Sequence, residues 1–388
     1  MSCPVCGSDA VDALFRAADV PVFCNVQWES RERAFAATRA SLEIDVCHRC
    51  GHAHNAAFRE ELVAYAPGYD NSQHFSTTFQ AYARSLVDRL VVTHGLKGAS
   101  IVDIGCGRGD LLTMLAQRSG GRGFGFDPSA SSTAGQPAPG VTIFRKLFSR
   151  EDAQEIRPAL VCCRHVLEHV VDPIGFLAGI RESLEATGAP VLYIEVPNGE
   201  QLLRDGAIWD YIYEHYSYFS ASSLAIVLEA AGFEVVALRE DFGGQFLCAE
   251  VRPAHRSGKR PSAARRVPDS SEIAAAAERF RAKVARWRDW ASEIGIAGRT
   301  ATIWGAGSKG VMFLNLLGLD APKPIDFAVD QSRNKHHRFL AVRGQEIVPP
   351  EHLAGSNVDE IVVMNPLYRG EIEERLRGMG LAPRVLTA

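Results

Sequence analysis

The 388-residue chain has no run of about eighteen apolar residues, so no part of it is expected to cross a bilayer as a helix, and no membrane partner is expected. Its first residues, M-S-C-P-V-C, lack the basic-then-apolar pattern of a secretory leader, which makes a cytoplasmic protein the expectation. Excess positive charge is missing too. Lys+Arg 42 against Asp+Glu 46 leaves a formal net charge of -4, and with it no electrostatic reason to expect nucleic acid as a partner. Nine cysteines in a chain this long, four of them in two C-x-x-C pairs, point to metal binding in a reducing compartment rather than to a disulfide framework. Core material is plentiful: at 46% hydrophobic and 23% charged, the chain can fill two or three domains.

The stretch about which the rest is organised is Ser100 to Leu112, S-I-V-D-I-G-C-G-R-G-D-L-L. A short apolar run (Ile101, Val102, Ile104) ends in Gly105, Gly107 and Gly109, and a helix-like run begins at Asp110. Strand, tight turn and helix N-terminus are the anatomy of a nucleotide-binding crevice in an open α/β sheet. Glycine lets the chain turn sharply and lets a ligand approach the main chain. Two acids frame the turn. Asp103 ends the strand, and Asp127 follows about twenty residues on, where a ribose hydroxyl would be held.

Cys3-Pro-Val-Cys6 and Cys47-His-Arg-Cys50 are matching knuckles, each followed by small residues. Four thiolates suit a tetrahedral structural zinc with no position open for chemistry. A redox disulfide is the competing reading. The stretch between the knuckles predicts a small β-rich insertion, and His48, His52 and His54 flank the site. Cys24, Cys106, Cys162, Cys163 and Cys248 are scattered and read as packing residues.

Downstream, Tyr65 to Phe75 is a polar, aromatic connector with the character of a lid, and it includes Tyr69. Helical spacing of apolar residues follows from Phe79 to Val92. Beyond the glycine turn, strands are expected at 122–126, 141–144, 159–163, 190–196, 234–238 and 246–251. Their alternation with helices predicts a doubly wound sheet. In R-H-V-L-E-H-V-V-D-P, His165 and His169 lie four apart and could share a helix face. A metal pair there would need a third ligand that the sequence does not reveal. Trp209 to Ser220 concentrates proton-handling groups, Tyr213, Glu214 and His215 among them.

A basic segment with proline and serine from Arg252 to Ser271 reads as a linker, and a long helix leads on from Ser271 to about Ile294. R-T-A-T-I-W-G-A-G-S-K-G then sets G-x-G-x-x-G after a strand and before a helix, the context that makes the motif credible. Gly305, Gly307 and Lys309 would meet a dinucleotide or the diphosphate of a nucleotide-linked substrate. Asn365 follows a later strand, Glu360 to Met364. The expected division is a zinc-binding module at 1–75, a core at 76–255, a linker and long helix at 256–298, and a Rossmann-like domain at 299–388.

D-x-G-x-G-x-G with a downstream acid resembles motif I of the class I S-adenosylmethionine (SAM)-dependent methyltransferases, and H-V-L-E-H-V-x-D-P looks like the same class. The four cysteines, D-I-G-C-G-R-G, H-V-L-E-H, Y-E-H-Y-S-Y-F-S and W-G-A-G-S-K-G come in this order over nearly the whole chain. Together they resemble the sugar C-methyltransferase family. The resemblance implies an α/β fold: a class I methyltransferase Rossmann-like core between an N-terminal zinc module and a C-terminal Rossmann-like domain. It implies that Asp103, Gly105, Gly107, Gly109, Asp127 and His165 serve SAM. It also implies that Gly305, Gly307, Lys309 and Asn365 serve a nucleotide-linked keto-deoxysugar.

A carbon becomes a nucleophile when a proton beside a carbonyl is removed, so His215 is the expected base. Glu214 would orient it or hold a substrate hydroxyl, and Tyr213 and Tyr69 would donate to oxygen. Two departures touch the acceptor side. The family often shows Y-H-E-H where this chain has Tyr213-Glu214-His215, and M-N-P-L-Y-R-G-E-I lacks the usual aromatic residue before asparagine. Three alternatives stay open: O- or N-methylation of another small metabolite, a NAD-dependent oxidoreductase acting through Gly305–Gly310, and a non-catalytic nucleotide-binding protein. A small-molecule partner is expected, with the chain a monomer or weak homo-oligomer.

Overall fold

The computed structural model describes residues 2–63, 73–130, 135–185, 187–188, 190–254, 267–321 and 324–388; Tyr69, with the rest of 64–72, lies outside the described residues. In the first module, β1 (Val11–Pro21) and β2 (Arg39–Cys47) form a long antiparallel pair, with the short α1 (Arg31–Phe35) in the loop between them. The third strand, β3 (Ala53–Asn55), pairs with β2. The fourth strand of this sheet comes from far along the chain, at Ser217–Tyr218.

The middle unit opens with α2 (Thr77–Thr93), whose N-cap Ser76 accepts from the Phe79 N–H and whose inner face buries Phe79, Tyr82, Leu86 and Leu90. There follow β4 (Ser100–Ile104), α3 (Asp110–Ser119), β5 (Arg122–Phe126), β6 (Gly135–Ala138), β7 (Val141–Phe144), α4 (Arg150–Ile156), β8 (Leu160–Arg164), α5 (Pro173–Glu185) and β9 (Val191–Pro197). Then come α6 (Gly199–Asp205), β10 (Ser217–Tyr218), α7 (Ala221–Ala230), β11 (Phe233–Asp241) and β12 (Phe246–Pro253).

The sheet order is β11-β12-β9-β8-β4-β5-β7-β6. Strands β4, β5, β7, β8 and β9 are parallel, while β12 runs antiparallel between β9 and β11. Helices cover both faces of the central strands, which is why I-V-D-I and L-V-C-C read as near-continuous apolar runs and are buried. From β4 the chain crosses to β5 on one side and later returns to β8 on the other. The crevice outside the carboxyl ends of β4 and β8 is therefore a topological switch point, the usual ligand position in such sheets.

The third module begins with α8 (Ser270–Ile296), started by a capping box between Asp269 and Glu272. Its sheet uses β13 (Ala301–Trp304), β14 (Phe327–Val329), β15 (Glu346–Val348), β16 (Glu360–Val363) and β17 (Arg384–Thr387), with α9 (Ser308–Leu317) after β13 and α10 (Arg369–Gly378) after β16. All five strands are parallel, in the order β15-β14-β13-β16-β17.

The modules are not beads on a string. Strand β10 leaves the middle unit to complete the first sheet. Trp28 and Phe339 exchange backbone hydrogen bonds at 3.1 and 2.9 Å, tying the first module to the third. One apolar cluster runs from Leu42 through Tyr213 and Phe280 to Phe313 and Leu340. No helix among the described residues is long and apolar enough to cross a membrane.

Phe313 on α9 is the keystone of that shared core, meeting Trp209 and Trp287 edge-on with ring centroids 4.9 and 5.2 Å away. Phe313→Ala is expected to lower stability by about 3–5 kcal/mol in urea unfolding, the cost of a large buried ring plus the cavity it leaves.

Candidate active site

The glycine turn forms one wall of the crevice. Gly105 has φ +70°, and a Cβ there would lie 2.2 Å from Val166 Cγ2, so no side chain fits. Asp127 closes the turn: its Oδ2 accepts from the Gly107 N–H at 2.8 Å, and its Oδ1 accepts from the Ser129 N–H and hydroxyl at 2.8 and 2.7 Å. Gly109 is the left-handed residue at which α3 starts. Asp103 is buried at the end of β4. Burial pushes its carboxyl up to about 7 against the pull of Arg164, and Asp127 and Glu195 push the same way.

Next to the turn stands a feature that the motifs did not announce. Glu195 on β9 is fully buried, and its Oε1 accepts from Arg164 at 3.0 and 2.6 Å and from His165 Nε2 at 3.0 Å. Its Oε2 accepts from Tyr82 and Tyr193 at 2.5 and 2.8 Å. Burial alone would raise such a carboxyl, but the Arg164 charge and the His165 bond hold it well below the usual carboxylate range. The readable signal was an acid inside the apolar run V-L-Y-I-E-V, where a charge must have partners.

His165 and His169 do not share a helix face as expected. His165 has φ +53° and precedes a single 3-10 turn, Leu167–His169. Its ring lies between two carboxylates: Glu168 Oε1 lies 3.4 Å from Nδ1 while Glu195 holds Nε2. Burial would depress the imidazole, yet the bonds to Glu168 and Glu195 and their charges raise it to about 9. His165 is therefore a cation at neutral pH.

The aromatic segment after α6 forms the facing wall. Pairing of β10 with β3 pins it to the first module, Ser217 opposite His54 and Tyr218 opposite Ala53. His169 Nδ1 donates to the Glu214 carbonyl at 2.9 Å and brings the His215 ring to 4.8 Å from its own. Burial of the His215 ring, with His169 beside it, depresses its imidazole to about 3, so the ring is neutral and a weaker base than the ordinary imidazole the sequence led one to expect.

Its two expected helpers are placed elsewhere. Tyr213 is buried on Phe58, and its hydroxyl accepts from the Arg59 N–H at 2.9 Å and donates to the Ala57 carbonyl at 3.3 Å, which commits it to the first module. Glu214 turns its carboxyl to the Cys24 N–H at 2.8 Å, away from His215, and burial raises it to about 8.

In the third module, Gly305 (φ +121°) and Gly307 make the turn before α9, and Asp330 accepts from the Ala306 N–H at 2.9 Å. Lys309 does not reach over the turn: its ammonium pairs with Asp210. The cation beside the glycines is Lys335, buried, 3.4 Å from Asp330 and 3.5 Å from the Ala306 carbonyl. Asn365 exchanges side-chain hydrogen bonds with Gln245 at 2.9 and 3.1 Å, on the seam between the third module and the middle one.

At the far side of the first sheet the Sγ atoms of Cys3, Cys6, Cys47 and Cys50 all lie within 4.8 Å of one another. The Cys3–Cys50 and Cys6–Cys47 separations are each 3.6 Å. Four sulfurs about 2.3 Å from a tetrahedral zinc would stand roughly 3.8 Å apart, so the cluster fits that ion.

The family described as Methyltransferase domain matches residues 75–238, and the one described as C-methyltransferase C-terminal domain matches residues 266–381. The chain belongs to the class I methyltransferases and is a SAM-dependent enzyme. Along almost its whole length it is similar to the C-methyltransferase NovU of Streptomyces niveus, 26% identical over 389 residues that cover 95% of this chain and 90% of that one. A shorter match, 32% identical over 100 residues, covers 24% of this chain and 43% of a ubiquinone biosynthesis O-methyltransferase of Pseudomonas aeruginosa. Among solved structures, a SAM-dependent methyltransferase from Aquifex aeolicus is 18% identical with a TM-score of 0.34, covering 43% of this chain and 89% of that one. The magnesium protoporphyrin IX methyltransferase of Synechocystis PCC 6803, with bound SAH, is 18% identical with a TM-score of 0.35, covering 50% and 93%.

The raised His165 has a measurable sign. A base whose folded pKa lies above its unfolded value adds stability that is complete below about 6.5 and is lost as pH rises through about 9. Between those limits the wild type is expected to lose up to about 3 kcal/mol more stability than His165→Gln, read from urea midpoints across the pH series.

Proposed function

We propose that this enzyme moves the methyl group of SAM onto a carbon beside a carbonyl group, in a nucleotide-linked keto-deoxysugar. One observation carries the reading: His215, a neutral imidazole, stands against His169 in the turn that follows β8, on a segment pinned by the β10–β3 pair. The C-terminal family match and the likeness to NovU support carbon as the acceptor atom.

In this reading the turn at Gly105, Gly107 and Gly109 with Asp103, Asp127 and His165 binds SAM, which supplies an electrophilic methyl. Gly107, with nothing within 4 Å of where a Cβ would stand, leaves the main chain open to the ligand, and Asp127 Oδ2, with a single donor on it, keeps a lone pair for a ribose hydroxyl. His215 takes the proton from the acceptor carbon. Holding the two reactants in line across the crevice supplies much of the acceleration. On the acceptor side the turn at Gly305 and Gly307, with Lys335 beside it, faces the nucleotide diphosphate, and the Asn365–Gln245 seam closes the site.

The division into a zinc module at 1–75, a methyltransferase core at 76–255, a connecting segment at 256–298 and a nucleotide-sugar domain at 299–388 is part of the same reading, with β10 shared. Cys3, Cys6, Cys47 and Cys50 would hold a structural zinc. It would act as a cross-link, clamping the turn between β2 and β3 and so the strand on which the His215 segment hangs. Metal analysis is expected to give one zinc per chain, and its removal by a chelator should lower the melting temperature and the exchange rate below together.

The reaction test is deuterium exchange. Without SAM, a keto-deoxysugar nucleotide in deuterated water should exchange the hydrogen beside its carbonyl, and His215→Ala should slow this about 10²-fold or more. No exchange in the wild type, or undiminished exchange in the variant, would count against the base. Methyl transfer to oxygen or nitrogen would need no such exchange.

A further inference from the structure

The geometry points to Glu168 as the positioning residue for His215: its buried Oε2 takes the Nδ1–H of the His215 ring and so turns the Nε2 lone pair to the crevice. The inference rests on the carbon-methylation reading for the identity of the base, and on the side chains alone for the state of the ring.

Glu168 is 1% exposed and sits in the single turn between β8 and α5. Its two oxygens have different fates. Oε1 lies 3.4 Å from His165 Nδ1, whereas Oε2 is buried with no hydrogen-bond partner. His215 is its complement, since its Nδ1 is also buried with no partner. One polar atom from each of Glu168, His169 and His215 lies within 4.8 Å of the others. With the two side chains this close, a small rotation or one bridging water would satisfy both orphaned atoms.

The chemistry of the pair leaves one arrangement. An ionised carboxylate only accepts, so the ring nitrogen facing it must carry the proton, and a neutral imidazole then has its lone pair on Nε2. The His215 ring is partly exposed, and Nε2 is not among its buried unpartnered atoms, so Nε2 is the nitrogen with access to the crevice. Glu214 puts Oε2 on the Cys24 N–H and buries Oε1 without a partner, but it is Glu168, not Glu214, whose carboxylate stands with the His169 and His215 rings. His169 has already given its Nδ1–H to the Glu214 carbonyl. Glu168, in turn, is kept ionised from behind. Burial would raise its carboxyl, but the contact with His165 holds it below the usual range.

The proton step then balances without another reagent. The C–H bond beside the carbonyl breaks, its electron pair moves through the carbon to the carbonyl oxygen to give an enolate, and the proton goes to Nε2. The resulting imidazolium has Glu168 against its other N–H, which offsets the burial that otherwise weakens His215 as a base. After methyl transfer the proton leaves Nε2 for solvent.

Nitrogen NMR of the full-length, zinc-loaded chain labelled with ¹⁵N-histidine tests the assignment at neutral pH, with His215→Gln identifying the signals. The expected wild-type ring shows a protonated Nδ1 and an unprotonated Nε2. Glu168→Gln should lose that preference, since an amide can donate or accept, and should slow deuterium exchange about 10- to 100-fold with the KM for the sugar nucleotide unchanged. An unprotonated Nδ1 in the wild type overturns the proposal even if Glu168→Gln does not fold. So does a second equivalent of zinc whose removal shifts the His169 and His215 signals, because a metal ion would then be what these groups hold. The expected ring state without wild-type exchange would sink the carbon-acid reading and leave the Glu168 contact standing. Exchange with the wrong ring state would do the reverse.

Discussion

Glu195 sits inside β9 with no access to water, and its charge is tolerable there because Arg164, His165, Tyr82 and Tyr193 all aim donors at it. That requirement shapes the crevice. It ties together the last residue of β8, Arg164, and the left-handed His165 that follows it. It also leaves Glu168 on the far side of the imidazolium ring. Removing one partner would strand a buried charge, so the group behaves as a unit, and the residues next to the glycine turn inherit its rigidity.

The same carboxylate is reached from the third module. Glu371 on α10 accepts from the hydroxyls of Ser76, Thr77 and Thr78 and from the Thr78 N–H, at 2.9 to 3.0 Å, capping α2 from another domain. Helix α2 carries Tyr82, and Tyr82 donates to Glu195. Nearby, Tyr368 packs on Phe242, Phe242 stacks on Phe246, and Phe246 meets the His165 ring edge-on at 4.8 Å. The first module approaches from the opposite side through β3 and β10. The candidate residues are thus held by contacts from all three modules.

Much of this was legible beforehand because it is local. Alternating apolar runs and helical spacings gave the doubly wound sheet, and the two glycine turns lie where strand, turn and helix succeed one another. Two C-x-x-C pairs converge on one point. What was misplaced concerns where long side chains go. Tyr213 and Glu214 neighbour His215 in sequence, but in this non-helical segment they point into the first module. Lys309 follows its glycine turn as a phosphate-binding lysine would, yet Asp210, 99 residues away, claims it, and Lys335 takes the position by the turn. Arg164 reads as an isolated charge at the end of β8 and Glu195 as a lone acid within β9, and nothing local pairs the two.

The sequence by itself determined the element types and the turns that need glycine, since each depends on residues within about one element of one another. Only the tertiary structure decided which titratable groups share a space. Whether a carboxylate orients a base, caps a helix or neutralises an arginine depends on strand order and on chain crossings tens of residues apart. Ser100 to Leu112 could be read as a nucleotide turn from its letters alone. That its neighbours are a buried Glu195, a cationic His165 and a Glu168 facing His215 was settled by the order β9-β8-β4 and by one two-residue strand lent to another sheet.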